Sequence, residues 1–168
     1  GLLAPISSSR AEAWEILRML HALSSYADTP IIVRTHPTIP IDDLYAQFDW
    51  PPHVRLSRGR SLAQDFEEAA LVAYCSSTVA LEGMLYGRLP IYLEIGDVPS
   101  GDPIGGEHAF VFRASDADEL ASIIERIRAL PGDELQQLRE GARAFAGRYL
   151  IEPTPSNVER MADLIAPC

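Results

Sequence analysis

The sequence predicts an α/β fold, a three-layer sandwich in which helices cover both faces of a six-stranded parallel sheet. Three observations carry this expectation. Six apolar runs of strand length punctuate the chain, among them GLLAPI, PIIVR, LVAY and PIYL. Amphipathic stretches separate most of them, and several open on an N-terminal capping pattern: Ser9 with Glu12, Ser61 with Gln64, Asp116 with Glu119. The connections are short, and strand–helix–strand repetition through short connections implies parallel pairing with right-handed crossovers.

Taken in order, residues 1–6 read as the first strand, and the Ser9 cap opens a helix through about Leu23. Trp14, Leu17, Met19, Leu20 and Leu23 supply its apolar side. Residues 30–34 are too short and too β-branched for a helix and form the second strand. Residues 39–52 carry prolines and aromatics and read as loop with one short helix around 42–48. Val54 to Leu56 is a third strand, followed by a helix from Leu62 to about Ala70. The stretch LVAYCSSTVALEGMLYGRLPIYL, residues 71–93, then reads as strand, polar hinge, helix, glycine turn and strand. Gly87 is placed to end that helix in the left-handed conformation. Residues 95–108, with four glycines and two prolines, form a loop. A sixth strand is expected at residues 109–112. A helix capped by Asp116 carries Leu120, Ile123, Ile124, Ile127 and Leu130, and Pro131 with Gly132 ends it. Further helices are expected at residues 135–149 and from Pro155 onward.

Composition narrows the function. The length of 168 residues suits one domain with a substantial core. A net charge of −10 and the lack of any basic run exclude a nucleic-acid surface. All 14 basic residues are arginines, which reads as compositional bias. Two cysteines make no disulfide framework, and no His/Cys/Asp/Glu spacing suggests a metal. No apolar run approaches membrane-spanning length, and no basic leader region is present. The strand-like start resembles that of a domain cut from a longer protein.

Parallel strands bring their carboxyl ends to one edge, where open α/β sheets bind ligands. The strand exits expected there include Arg34 to Thr38, Ser57 to Arg60 and Cys75 to Thr78. Ser76, Ser77 and Thr78 combine hydroxyls with the start of a helix, which suits phosphate, although a plain N-cap would use the same residues. His36 leaves a buried strand and precedes Pro37, so its ring stands at the edge, either donating a hydrogen bond to phosphate or as a plain surface or loop histidine. Glu82 lies one turn beyond Thr78 and suits either the hydroxyls of a ribose or plain solvation. Ser57, Arg58 and Gly59 are candidate nucleobase contacts, and Arg34 pairs with either an acid or the ligand. No G-x-G-x-x-G or G-K-[ST] loop follows the first strand, which argues against dinucleotide and P-loop chemistry. No G-x-S-x-G elbow supports a hydrolase.

With IIVRTHPT and YCSSTVALEGMLYGRLPIYLE in view, the chain resembles the carboxyl-terminal, donor-binding half of a GT-B fold glycosyltransferase. Its likeness is to bacterial surface-polysaccharide enzymes with an HP motif and a Ser-Ser/Thr motif, including the CMP-dependent sialyl-, polysialyl- and Kdo-transferase groups. The resemblance implies a Rossmann-like donor domain over residues 1–168. It assigns His36 as the catalytic residue at the donor phosphate, Ser76 to Thr78 as phosphate ligands and Glu82 as the ribose acid. It also implies a nucleotide-sugar donor, CMP-linked in the first instance and UDP- or GDP-linked otherwise, with no metal or other cofactor. The general base would come from an amino-terminal acceptor domain missing from this sequence, so the isolated chain should transfer nothing. A glycan or glycolipid acceptor made at the inner face of a membrane would place the protein in the cytoplasm, with peripheral attachment there. A UDP-sugar 2-epimerase shares the architecture, and a non-catalytic Rossmann-like ligand-binding module is the reading outside enzymology.

Overall fold

The structure, a computed structural model, describes residues 1–6, 9–25, 27–36, 39–96 and 101–150. Six strands form one sheet: β1 (Leu2–Pro5), β2 (Ile31–Arg34), β3 (Val54–Leu56), β4 (Leu71–Tyr74), β5 (Leu89–Leu93) and β6 (Phe112–Ala114). All pairings are parallel and the order is β3-β2-β1-β4-β5-β6. This is a Rossmann-like arrangement. The direction of winding reverses between β1 and β4, which pair through Leu2 with Leu71 and Leu3 with Val72. Strands β1, β4 and β5 are buried at every position, as continuous apolar runs covered on both faces must be.

The helices are α1 (Arg10–Ser24), α2 (Asp42–Tyr45), α3 (Leu62–Glu68), α4 (Val79–Leu85), α5 (Ala117–Arg128) and α6 (Gly132–Ala146). Helix α1 packs on α5, and α4 packs on α6. Right-handed crossovers wound outward from the reversal put these two pairs on opposite faces. The local signals hold where they are chemically strongest. Ser61 and Gln64 close a full capping box on α3, and Asp116 accepts from the Glu119 N–H at 2.8 Å to open α5. Gly87 has φ +71° and ends the helix after Leu85.

Several boundaries shift. The sixth strand is Phe112–Ala114 rather than residues 109–112, pairing Ile91 with Phe112 and Leu93 with Ala114. The reason is tertiary: Phe110 leaves the sheet to pack on Phe145 of α6 at 5.6 Å between centroids, and the Val111 N–H closes a turn onto the His108 carbonyl at 3.1 Å. Pro131 caps α6, which begins at Gly132, so the Pro-Gly pair both stops α5 and starts the next helix. The short helix α2 covers Asp42–Tyr45 alone. The helix expected from Pro155 onward lies outside the described residues.

Candidate functional site

The carboxyl edge of the sheet collects the exits of β1, β2, β4 and β5, with the reversal of winding at its centre. Strand β4 ends at Tyr74, and Cys75 to Thr78 turn the chain into α4. Thr78 is the N-cap of α4 without a side-chain cap bond, and just before it the Ser77 Oγ accepts from the Val79 N–H at 3.3 Å. Ser76 and Thr78 are exposed. The exposed Glu82 follows one turn along α4 from Thr78, as the spacing of four predicts.

A residue that reads in sequence only as the capping partner of Ser9 lies behind this turn. Glu12, in the first turn of α1, is 4% exposed. Its Oε1 and Oε2 accept from the Ser76 hydroxyl at 2.9 and 3.1 Å, and Oε1 also accepts from the Ser76 N–H at 3.3 Å. Its own N–H, meanwhile, donates to Ser9 at 3.4 Å, so the capping pattern is present while the carboxylate reaches across the reversal point. Burial, with the Glu12 carboxylate beside it, pushes the Cys75 thiol up to about 12.

On the other side of Ser76 the glycine-rich loop comes close. A Cβ built on Gly101 would lie 2.8 Å from the Ser76 Cβ, so only glycine fits there without displacing one of the two segments. The next residue, Asp102, accepts from the Tyr74 hydroxyl and from the Ile104 N–H, both at 2.9 Å, and faces Arg113 at 3.4 Å. Burial first, and Asp102 second, raise the Tyr74 hydroxyl above its ordinary pKa. The segment beginning at Gly101 is therefore anchored over the carboxyl end of β4.

His36 follows β2, half-buried, with its carbonyl accepting from the Ile39 N–H at 3.3 Å. Pro37 and Thr38 lie outside the described residues. Because β1 separates β2 from β4, His36 and the Ser76–Thr78 turn stand on either side of it, with their strands roughly 10 Å apart. They flank the reversal point rather than neighbouring one another directly.

Arg34 and Ser57 are committed to the fold. Both converge on Asp65 of α3, whose side chain is 0% exposed: Arg34 Nη1 donates at 2.6 Å and Ser57 Oγ at 2.6 Å. Arg60 Nε adds a third contact to Asp65 at 3.1 Å and its Nη2 reaches Glu68. Burial works against the Asp65 charge, but the hydrogen bonds from Ser57, Arg34 and Arg60 outweigh it and hold the carboxyl below the usual carboxylate range. Arg58 is exposed and pairs with Asp42 at 2.5 Å, beside the exposed Gly59 at φ +64°. Arg10 and Arg113 are also ion-paired. Among the described residues, this edge thus carries the Ser76 to Thr78 hydroxyls on one side of β1 and the half-buried His36 on the other. Among the described residues no group of three or more His, Cys, Asp or Glu could hold a metal ion, and no helix is long and apolar enough to cross a membrane.

No known protein family and no curated protein matches this sequence. Solved structures do. The crystal structure of HepE from Anabaena in complex with UDP-glucose superposes with TM-score 0.64 at 17% identity, over 98% of this chain and 49% of that one. A glycosyltransferase from Rickettsia africae gives TM-score 0.65 at 15% identity, over 99% of this chain and 48% of that one. The catalytic domain of cholesterol-alpha-glucosyltransferase from Helicobacter pylori gives 0.58 at 14%, over 89% of this chain and 98% of that one. The chain spans about half the length of the first two. At these identities the likeness is one of fold, and the chain shares the Rossmann-like sandwich of all three.

Proposed function

We propose that this chain is the donor-binding half of a GT-B glycosyltransferase and seats a nucleotide sugar at the carboxyl edge, where the winding reverses. The observation that carries the reading is the placement of the Ser76–Thr78 turn and His36 on the two flanks of β1, at the position where open α/β sheets take phosphorylated ligands. The donor phosphate meets the turn, with the Ser77 and Thr78 hydroxyls donating. Glu82, exposed and one turn further on, accepts from the ribose hydroxyls. The exposed tip at Arg58 and Gly59 is left for the base, since Arg34 and Ser57 are held by Asp65.

In the full protein an acceptor hydroxyl attacks the anomeric carbon. The bond from that carbon to the phosphate oxygen breaks, and the phosphate leaves with the electron pair. His36 donates a hydrogen bond to it and offsets the developing charge. The base that removes the acceptor proton belongs to an amino-terminal domain, so residues 1–168 supply donor binding and transfer requires both domains. The HP and Ser-Ser/Thr motifs favour a CMP-sugar, while the UDP-glucose held by HepE supports a uridine donor on the same fold. The acceptor is a glycan or glycolipid of surface-polysaccharide synthesis, met in the cytoplasm at the inner face of the membrane.

Titrating the chain with CMP, UDP, GDP and AMP by NMR tests this. The expected result is saturable binding of CMP or UDP that weakens in Ser77→Ala and in His36→Ala. CMP preference points to the sialyl- and Kdo-type transferases. UDP preference moves the reading to other GT-B enzymes or to an epimerase. Binding of no nucleotide, here or in a chain that includes the amino-terminal domain, refutes the donor site.

A further inference from the structure

The three hydroxyl residues of the β4–α4 turn are not equivalent. A serine hydroxyl has one proton to give and two lone pairs to offer. Ser77 receives the Val79 N–H on its oxygen at 3.3 Å, which leaves its proton to be donated outward. Ser76 is the reverse. Its oxygen lies 2.9 and 3.1 Å from the two carboxylate oxygens of Glu12, and a carboxylate can only accept. The Ser76 proton is therefore spent inward, on a side chain that is 4% exposed and out of a ligand's reach. The Ser76 N–H, 3.3 Å from the same carboxylate, points inward as well. What the exposed Ser76 offers a ligand is lone pairs alone, backed by a buried acid.

A phosphate oxygen also only accepts, so it would meet Ser76 acceptor to acceptor, with the Glu12 charge behind. We infer that Ser76, positioned by Glu12, is a hydroxyl-reading subsite that accepts from a sugar or ribose O–H of the ligand, while phosphate is confined to Ser77 and Thr78. The inference rests on the donor-site reading and sharpens it. One turn discriminates two chemistries by the direction of its protons, and Glu12 sets that direction without touching the ligand.

The experiment compares the unsubstituted chain with Ser76→Ala, Ser77→Ala and Glu12→Gln, titrated with UDP, 2′-deoxy-UDP, UDP-glucose, CMP and 2′-deoxy-CMP. Losing one neutral hydrogen bond corresponds to roughly 3- to 10-fold in affinity. Ser76→Ala is expected to weaken the hydroxyl-bearing ligands by that factor and to leave the ligand without that hydroxyl unchanged. If UDP and CMP weaken but their deoxy forms do not, the hydroxyl is the ribose's; if UDP-glucose alone weakens, it is the sugar's. Ser77→Ala is expected to weaken every phosphorylated ligand. Glu12→Gln places an amide that can donate to the Ser76 oxygen, which lets the Ser76 proton turn outward, so the preference for hydroxyl-bearing ligands should shrink and deoxy-nucleotide affinity should rise. Nucleotide binding that Ser76→Ala weakens equally for ribose, deoxyribose and sugar-bearing ligands, or leaves untouched for all, overturns this inference while the donor site stands. No binding of any of the five removes both.

Discussion

Replacing Asp65 with asparagine tests whether the group of residues first read as donor contacts is instead a structural joint. The substitution keeps the shape of the side chain but removes the anion that Ser57, Arg34 and Arg60 approach at 2.6, 2.6 and 3.1 Å. Breaking a buried charge pair by neutralising one partner costs about 3–5 kcal/mol, because the other charge stays behind uncompensated. Here the arginine side chains retain 25% and 31% exposure, so water recovers part of that and the lower end, about 3 kcal/mol, applies. For a chain of this size each kcal/mol moves the melting temperature by about 2–4 °C, which gives a fall of roughly 6–12 °C. Urea titration followed by circular dichroism, with calorimetry alongside, measures both quantities. A loss below about 1 kcal/mol, the level of exposed ion pairs, would mean that Asp65 does not tie β2, β3 and α3 together and that Arg34 and Ser57 are available to a ligand after all.

The same carboxylate fixes a pH dependence. Its folded pKa is depressed, so its stabilisation is present above the unfolded carboxylate value of about 3.9 and is lost as pH falls through the lower folded value; the melting temperatures of the parent chain and Asp65→Asn should converge on acidification, and a constant gap down to the acid limit would contradict the assignment. Gly83→Ala should destabilise by about 1–3 kcal/mol, since the new Cβ would sit 2.8 Å from a Val72 methyl and 3.1 Å from the Phe66 ring; a neutral result by denaturant titration would show that α4 can shift off the sheet. In a Cys168→Ser background, Cys75 should react with a thiol-specific reagent at pH 8 only as the chain unfolds, being buried with its thiol pushed up to about 12. Rapid labelling of the folded chain would refute that environment.

What was legible in the sequence follows the range of the interaction concerned. Capping at Ser61 and Asp116 and the glycine turn at Gly87 are contacts within a few residues, and each is found where the pattern puts it. Strand-length apolar runs with short connections made the parallel sandwich readable. Strand order was not readable, and it decides the site: that β1 separates His36 from Ser76 depends on a pairing choice no local pattern encodes. Glu12 shows the limit most clearly. At three residues from Ser9 it reads as a cap partner, while its carboxylate bonds Ser76, 64 positions away. Asp65 likewise reads as an ordinary acid in the first turn of α3, and only the meeting of β2 and β3 beneath it reveals the joint. The displaced sixth strand has the same origin, because AFVF is apolar throughout and nothing in it says that Phe110 belongs to α6.

The position of β1 at the middle of the sheet also sets a schedule for the ribosome. This strand is made before the others, and its first neighbour, β2, follows within one helical crossover. Its second neighbour, β4, is not available until Leu71–Tyr74 has emerged. At translation speeds of about 5–20 residues per second, β1 waits several seconds with one row of backbone groups unmatched. During that interval the nascent chain carries an open parallel template made of the apolar residues Leu2–Pro5. Slowing elongation before β4 should therefore raise the demand for chaperones and the fraction that aggregates, whereas a pause after β4 should be harmless.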